Sequence, residues 1–306
     1  MKKILITGGS GMIGTRLTEL LLGLGYEVGH LGRGKKGGKV KTFLWDVSSG
    51  KVDTGAFDGV SAIVHLAGAN IGGGRWTARR KREILESRTH STRLLLETLR
   101  REQHSVADFI SASAIGYYGV SSTTVKIFTE NDAAGSDFLA GVVDKWESEV
   151  DQMRGIGMRV VKVRVGIVLS GEAGALPEIA KPVKFFVGAQ LGAGTQMLSW
   201  IHVDDVCRVF IKAIEDPSLH GPVNAVGPEP VSNAHLTKAI ARTLGKPLIL
   251  PRIPEFVIRL AIGEMADLAL KGNAVSNEKL VRTGFQYKFV RLEDALDDLL
   301  LKSGSR

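Results

Sequence analysis

The residues best placed to do chemistry stand near the N-terminus, where the apolar run Ile4-Leu5-Ile6 ends at Thr7 and Gly8-Gly9-Ser10-Gly11-Met12-Ile13-Gly14 follows. A strand feeding a glycine-rich turn and then a helix holds a dinucleotide pyrophosphate. The first N–H groups of such a helix are unpaired, and its dipole favours negative charge. Gly8 suits the tight turn off the strand, Gly11 the approach of backbone to phosphate, and Gly14 close packing of helix on sheet. Ser10, Met12 and Ile13 would present their groups to the same anion. The run also fits a pattern on Gly9, Gly11 and Gly14; we prefer the one starting at Gly8, because Thr7-Gly8 directly ends the apolar run.

The next strand, over residues 26–31, ends Leu31-Gly32-Arg33 with Lys35 and Lys36 beyond. An acid at such a tip would hold a ribose 2′-hydroxyl, whereas an Arg suits a 2′-phosphate. The absence of an acid predicts NADP(H), with Arg33 on the phosphate. Residues 40–46 form a third strand, whose Asp46 either meets the adenine edge or opens a turn. A fourth strand over 60–66 is apolar enough for burial on both faces. It runs into Leu66-Ala67-Gly68, whose small residues permit close contact with a cofactor.

What must position these residues is an alternation of strands and helices. Strands over 106–113, 158–169 and 222–226 continue the series, with helices over 77–103, 138–151, 232–244 and 292–301, and the segment 256–270 reads as a packed amphipathic helix. The fold class is α/β, a Rossmann-type doubly wound parallel sheet with a smaller C-terminal substrate-side α/β domain. Residues 1–169 form the NADP-binding part and 170–306 mainly the smaller one, with segments around 196–227 returning to the sheet. The chain has 306 residues, 44% hydrophobic and 24% charged, an ordinary globular balance. Its single Cys207 excludes an internal disulfide and any multi-cysteine metal centre, so no metal is expected. Neither a secretory signal nor an apolar run long enough to span a membrane is visible, which fits a cytoplasmic protein. The net charge of +8 is concentrated around residues 33–41 and 75–82. These read as cofactor attraction and a solvated helix face rather than a nucleic-acid surface.

Three motifs together, Thr7-Gly8-Gly9-Ser10-Gly11-Met12-Ile13-Gly14, His65-Leu66-Ala67-Gly68 and Trp200-Ile201-His202-Val203-Asp204-Asp205-Val206, resemble the extended short-chain dehydrogenase/reductases of the nucleotide-sugar epimerase type. Arg75-Trp76-Thr77, Ser87-Arg88, Ser111-Ala112-Ser113-Ala114-Ile115-Gly116-Tyr117-Tyr118-Gly119 and Lys145-Trp146-Glu147 resemble its atypical branch, NAD-dependent epimerase/dehydratase-like proteins of unknown substrate. The resemblance implies that Ser113 matches the catalytic serine. It places Arg88 where ordinary members carry an Asn, free to bind ribose, phosphate or a substrate carboxylate, with Glu83 near ribose or Arg88. It also puts Val165, with Gly166 and Ile167, at the nicotinamide edge. The usual tyrosine–lysine dyad is absent, because no tyrosine here has a lysine four positions later. Its slots fall on Leu139 and Val143, or on a register starting at Phe138. Tyr117, His202 or water would then have to move protons, and Asp204 reads as a helix cap.

These residues imply an NADP(H)-dependent oxidoreductase or epimerase acting on a small carbonyl or sugar-like molecule. The alternative is a catalytically inactive NADPH-binding regulatory or interaction protein. Helices over 77–103 and 138–154 often pair between subunits in the superfamily, so the resemblance also makes a homodimer available.

Overall fold

The apolar runs of the N-terminal half become parallel strands, each followed by a helix or turn. A computed structural model describes residues 2–34, 40–120 and 126–301. In order come β1 (Lys3–Thr7), α1 (Met12–Gly23), β2 (Glu27–Gly32), β3 (Lys41–Asp46), β4 (Lys51–Val52), β5 (Val60–His65), α2 (Ala78–Arg101) and β6 (Asp108–Ala114). A 3₁₀ turn at Ile115–Tyr118 leads to β7 (Ile127–Phe128), α3 (Phe138–Asp151), β8 (Arg159–Val165), β9 (Ile167–Leu169) and α4 (Ala175–Lys184). The chain continues through β10 (Met197–Leu198), β11 (Trp200–His202), α5 (Val203–Glu215), β12 (Gly221–Ala225), β13 (Val231–Ser232) and α6 (Asn233–Thr243). It closes with α7 (Glu255–Ile262), α8 (Asp267–Leu270), β14 (Ala274–Val275), α9 (Glu278–Arg282) and α10 (Leu292–Leu300).

Eight strands form the main sheet in the order β12-β8-β6-β5-β1-β2-β3-β4. All its pairings are parallel except β3 with β4. The chain reverses direction across the sheet between β1 and β5, and ligands of such sheets bind at the carboxyl ends of the strands flanking that switch. Alternate side chains of β1 serve opposite layers. Ile4 and Ile6 join Leu17, Phe210 and Leu296 on one face, while Leu5 joins Phe57, Phe109 and Trp146 on the other.

Local chemistry starts the helices that frame the site. Thr77 caps α2 by accepting from the Arg80 N–H, and Asp137 caps α3 by accepting from Ala140. Two expectations need correction. The strand over 158–169 breaks at Gly166, where the Ser199 carbonyl occupies the place of a Cβ, and β9 leaves the main sheet to pair with β11. Residues 256–270 are not one packed helix. Gly263, at φ 63°, ends α7, and Phe256 and Leu260 are 71% and 79% exposed.

Candidate functional site

The glycine turn sits at the switch point. Gly8 has φ +70°, and a Cβ there would lie 2.9 Å from the backbone of Leu66 and Ala67, so β1 and the end of β5 meet through it. The Gly8 carbonyl fills the space of a Cβ on Gly14. Gly9 is equally intolerant, its Cβ position lying 2.6 Å from the His30 ring, while Gly11 faces only the Gly8 oxygen at 3.3 Å. The close packing therefore falls on Gly8, Gly9 and Gly14. Gly11 caps α1 without a side chain, and no acid stands in the first turn. Ser10 is exposed and Met12 and Ile13 half-buried, so the amino end of α1 is built to receive an anion.

A buried network fixes the rim, and sequence reading missed it. Thr7 Oγ1 accepts from the N–H groups of Leu66 and Ala67, each at 3.2 Å, and lies 2.7 Å from His65 Nδ1. With its lone pairs used, the Thr7 hydroxyl donates to Nδ1, which leaves the proton of a neutral His65 on Nε2, 3.2 Å from the hydroxyls of Ser91 and Thr92. Burial, reinforced by the charge of Arg88, lowers the His65 pKa to about 3. The apolar strand interior around His65 hid this role.

Arg88 lies against Gly68, where a Cβ would come 3.2 Å from its guanidinium carbon. It stacks over Trp146 at 5.3 Å and donates to the Ile84 carbonyl at 2.9 Å. Among the described residues no carboxylate pairs with it, and burial with the nearby charge of Arg80 lowers its pKa to about 10. Glu83 is not its partner; that acid is exposed and pairs with Arg80 at 2.7 Å. Arg33 is exposed just past β2, while Lys35 and Lys36 lie outside the described residues. Asp46 opens a turn, accepting from the hydroxyls of Ser48 and Ser49 at 2.6 and 2.8 Å. Those bonds lower its pKa to about 2.

The floor beyond β5 is a second network. Ser113, Arg164 and Asn224 are register partners on β6, β8 and β12. Glu147 of α3 accepts from Ser113 Oγ at 2.6 Å and from Arg164 through Nε at 2.8 Å and Nη2 at 2.9 Å. Lys162 Nζ adds a second cation at 3.2 Å. Burial alone would raise the Glu147 pKa, but the bonds and charge of Arg164, with Ser113 and Lys162, hold it below the usual carboxylate range. An ionised carboxylate only accepts, so the Ser113 proton is committed to Glu147 and is not free to polarise a carbonyl. Tyr118 accepts from Arg164 at 3.0 Å and donates to Asn224 at 2.7 Å. Burial pushes its phenol up to about 12.

Tyr117 packs its ring 3.5 Å from the Arg164 guanidinium and is only half-buried. Among the described residues its hydroxyl has no hydrogen-bond partner. Leu139 and Val143 face the same 3₁₀ turn, their side chains 3.7 and 4.0 Å from the Cβ position of Gly116. Val165 ends β8 beside Ala114 and Ala225. His202 is no proton carrier on this floor: buried and stacked on Phe289 at 3.8 Å, it caps α5 by accepting from the Asp204 N–H. Asp204 is thus not the cap, and instead accepts from Arg16 at 2.7 Å and Lys288 at 2.9 Å. Among the described residues no group of three or more His, Cys, Asp or Glu side chains could hold a metal, and no helix is long and apolar enough to cross a membrane.

Comparison with known proteins follows the same outline. Residues 4–138 match the NAD dependent epimerase/dehydratase family, and 253–299 match a domain of unknown function. The chain is 37% identical over 300 residues to the epimerase family protein YfhF of Bacillus subtilis, covering 97% of each. It is 32% identical to the mouse epimerase family protein SDR39U1, over 97% of this chain and 99% of that one. The crystal structure of the human epimerase family protein SDR39U1 with NADPH superposes with a TM-score of 0.87 at 30% identity, covering 97% of this chain and 98% of the other. With a Rossmann-like parallel sheet, a glycine turn at its switch point and near-complete coverage of these relatives, the chain belongs to the epimerase family of extended short-chain dehydrogenase/reductases.

Proposed function

We propose that this chain binds NADP(H) and is an oxidoreductase or epimerase acting on a small carbonyl or sugar-like substrate. What carries the cofactor half is the amino end of α1, with no side-chain cap and no acid, across the rim from a guanidinium that has no carboxylate partner among the described residues. The turn from Gly8 to Gly14 would hold the pyrophosphate, Arg33 the 2′-phosphate, and Arg88, beside Leu66-Ala67-Gly68, a ribose or phosphate oxygen. NADPH bound to the human relative supports the same choice. When bound, the nicotinamide supplies hydride exchange. At Val165 and the floor, the chain's own groups orient the substrate and handle its proton. Ser113 is held by Glu147, and Tyr118 by Arg164 and Asn224. Tyr117 is left as the phenol free to donate to a substrate oxygen. Pairing of α2 and α3 between subunits belongs to the same proposal, and sedimentation would show whether the chain dimerises.

The test has two stages. Fluorescence titration should show NADPH bound at least ten-fold tighter than NADH, with that preference lost in Arg33→Ala; equal affinities would remove the NADP(H) assignment. NADPH oxidation is then followed across a panel of aldehydes, ketones and keto-sugars, where Tyr117→Phe should depress kcat by about 10²-fold or more. A second reading is an NADPH-binding regulatory protein, favoured by the apolar Leu139 and Val143 in the dyad slots. It wins if NADPH binds and no member of the panel is turned over.

A further inference from the structure

The outer face of α6 carries a feature that the cofactor and floor residues do not use. A solvent-open groove of about 560 Å³ runs between α6 and the 246–252 segment, bordered by Lys238, Arg242, Lys246 and Arg252, with Leu248 and Leu250 on its apolar side. None of these residues belongs to the glycine turn or to the Ser113–Arg164 floor. Lys238 and Arg242 are four residues apart on one helix face, and both are exposed, as is Arg252.

The charge around the groove is one-sided. Among the described residues none of the four cations is paired with a carboxylate. No acid lines the groove among the described residues; the acids that meet α6 are engaged elsewhere, Glu293 at 3.6 Å from His235 and Asp297 accepting from Thr243 at 3.2 Å. Much of the remaining Lys and Arg surface is matched by acids, as in Arg16 with Glu19, Lys212 with Asp216 and Arg259 with Glu255. Four unmatched cations around one concavity repel each other and create a focused positive potential. Phe186 borders this region with φ 63°, the one non-glycine residue at positive φ among those described. Its ring is held 4.5 Å from Lys246 Nζ.

We propose that this groove binds a small ligand carrying two or more phosphate groups, with an apolar portion lying against Leu248 and Leu250. Lys238 and Arg242 would meet the phosphates from the helix side, and Lys246 and Arg252 from the facing segment. Arginine pairs with phosphate through two parallel N–H bonds and lysine as a point charge. The volume is that of a small-molecule site, on the order of 300–1,000 Å³. Its concavity, bounded by cations on both walls, favours such a ligand over a flat lipid surface.

Inorganic tripolyphosphate is the probe, titrated by calorimetry into the whole chain with and without saturating NADPH. The expected result is a binding event that persists under NADPH and is unchanged in Arg33→Ala. It should weaken at least ten-fold in the double variant Lys238→Gln/Arg242→Gln, and also in Arg252→Gln. Their exposed positions leave folding intact, which circular dichroism would verify. The proposal is overturned if tripolyphosphate binding disappears under NADPH, or if the variants bind as tightly as the parent. It is also overturned if phosphatidylglycerol vesicles sediment the chain through these residues while tripolyphosphate does not bind. Should NADPH itself fail to bind, the cofactor proposal falls, and the groove is still judged by the variants alone.

Discussion

At the scale of single residues, two buried groups should govern the response to acid. His65 is neutral in the fold, its pKa lowered from 6.5 to about 3 by burial and then by Arg88. The unfolded chain therefore takes up a proton first, and stability present above 6.5 is lost as pH falls toward 3. One and a half units below 6.5, near pH 5, the loss is about 2 kcal/mol. Urea unfolding at about pH 7.5 and pH 5 should show that slope in the parent and lose it in His65→Gln, whatever the variant's overall stability; an unchanged slope would count against a neutral His65. Glu147 acts in the same direction at lower pH, because Arg164 and Lys162 hold its carboxylate below the ordinary range despite burial. Glu147→Gln leaves the buried Arg164 without its anion, while Lys162 keeps Asp151 at 2.7 Å, and the loss should cost about 3–5 kcal/mol. A Cβ at Gly14 would meet the Gly8 carbonyl. Gly14→Ala should lower stability by about 1–3 kcal/mol and weaken NADPH binding, as thermal melting and fluorescence titration would show.

At the scale of elements, helix α5 is a junction. Asp204 joins it to Arg16 on α1 and to Lys288, and Asp205, fully buried, accepts the N–H groups of Lys288 and Phe289. Burial opposes ionisation of Asp204, but Arg16 and Lys288 outweigh it and lower its pKa from 3.8 to about 2. That contribution is complete above 3.8 and lost as pH falls through 2. Discounted for screening, Asp204→Asn should cost about 1 kcal/mol at neutral pH, measurable by chemical denaturation. The strands and long helices were legible in the sequence because Ile4 to Ile6 and Ala62 to Val64 are unbroken apolar runs, and Thr77 and Asp137 are ordinary caps. Less legible was whatever depended on a distant partner. Nothing local to Asp204 announces Arg16, 188 positions away, so the cap fell to it rather than to His202. Likewise the motif around Ser113 did not reveal that Glu147 takes its proton. The break at Gly263 was hidden because the residues on either side keep an amphipathic pattern.

At the scale of the whole molecule, the cofactor proposal has a global readout. A ligand that binds only the folded chain adds about 2.7 kcal/mol when present at a hundred times its Kd. NADPH at that excess should raise the melting temperature by several degrees and NADH at the same concentration by much less; no shift with either would remove the cofactor from this fold. The strand order has a further consequence, one of timing. The glycine turn is built from β1, α1, β2 and the end of β5 with Leu66 and Ala67 beyond it, all delivered by residue 67. The polar floor needs Asn224 from β12, which pairs with β8 across an excursion through α4 and α5. Asp205 is not satisfied until Lys288 and Phe289 arrive. During synthesis the amino-terminal part of a chain is available to fold first. A nascent chain thus assembles its phosphate-binding turn while the ribosome is still to deliver the residues that lock Arg164 and Tyr118 in place.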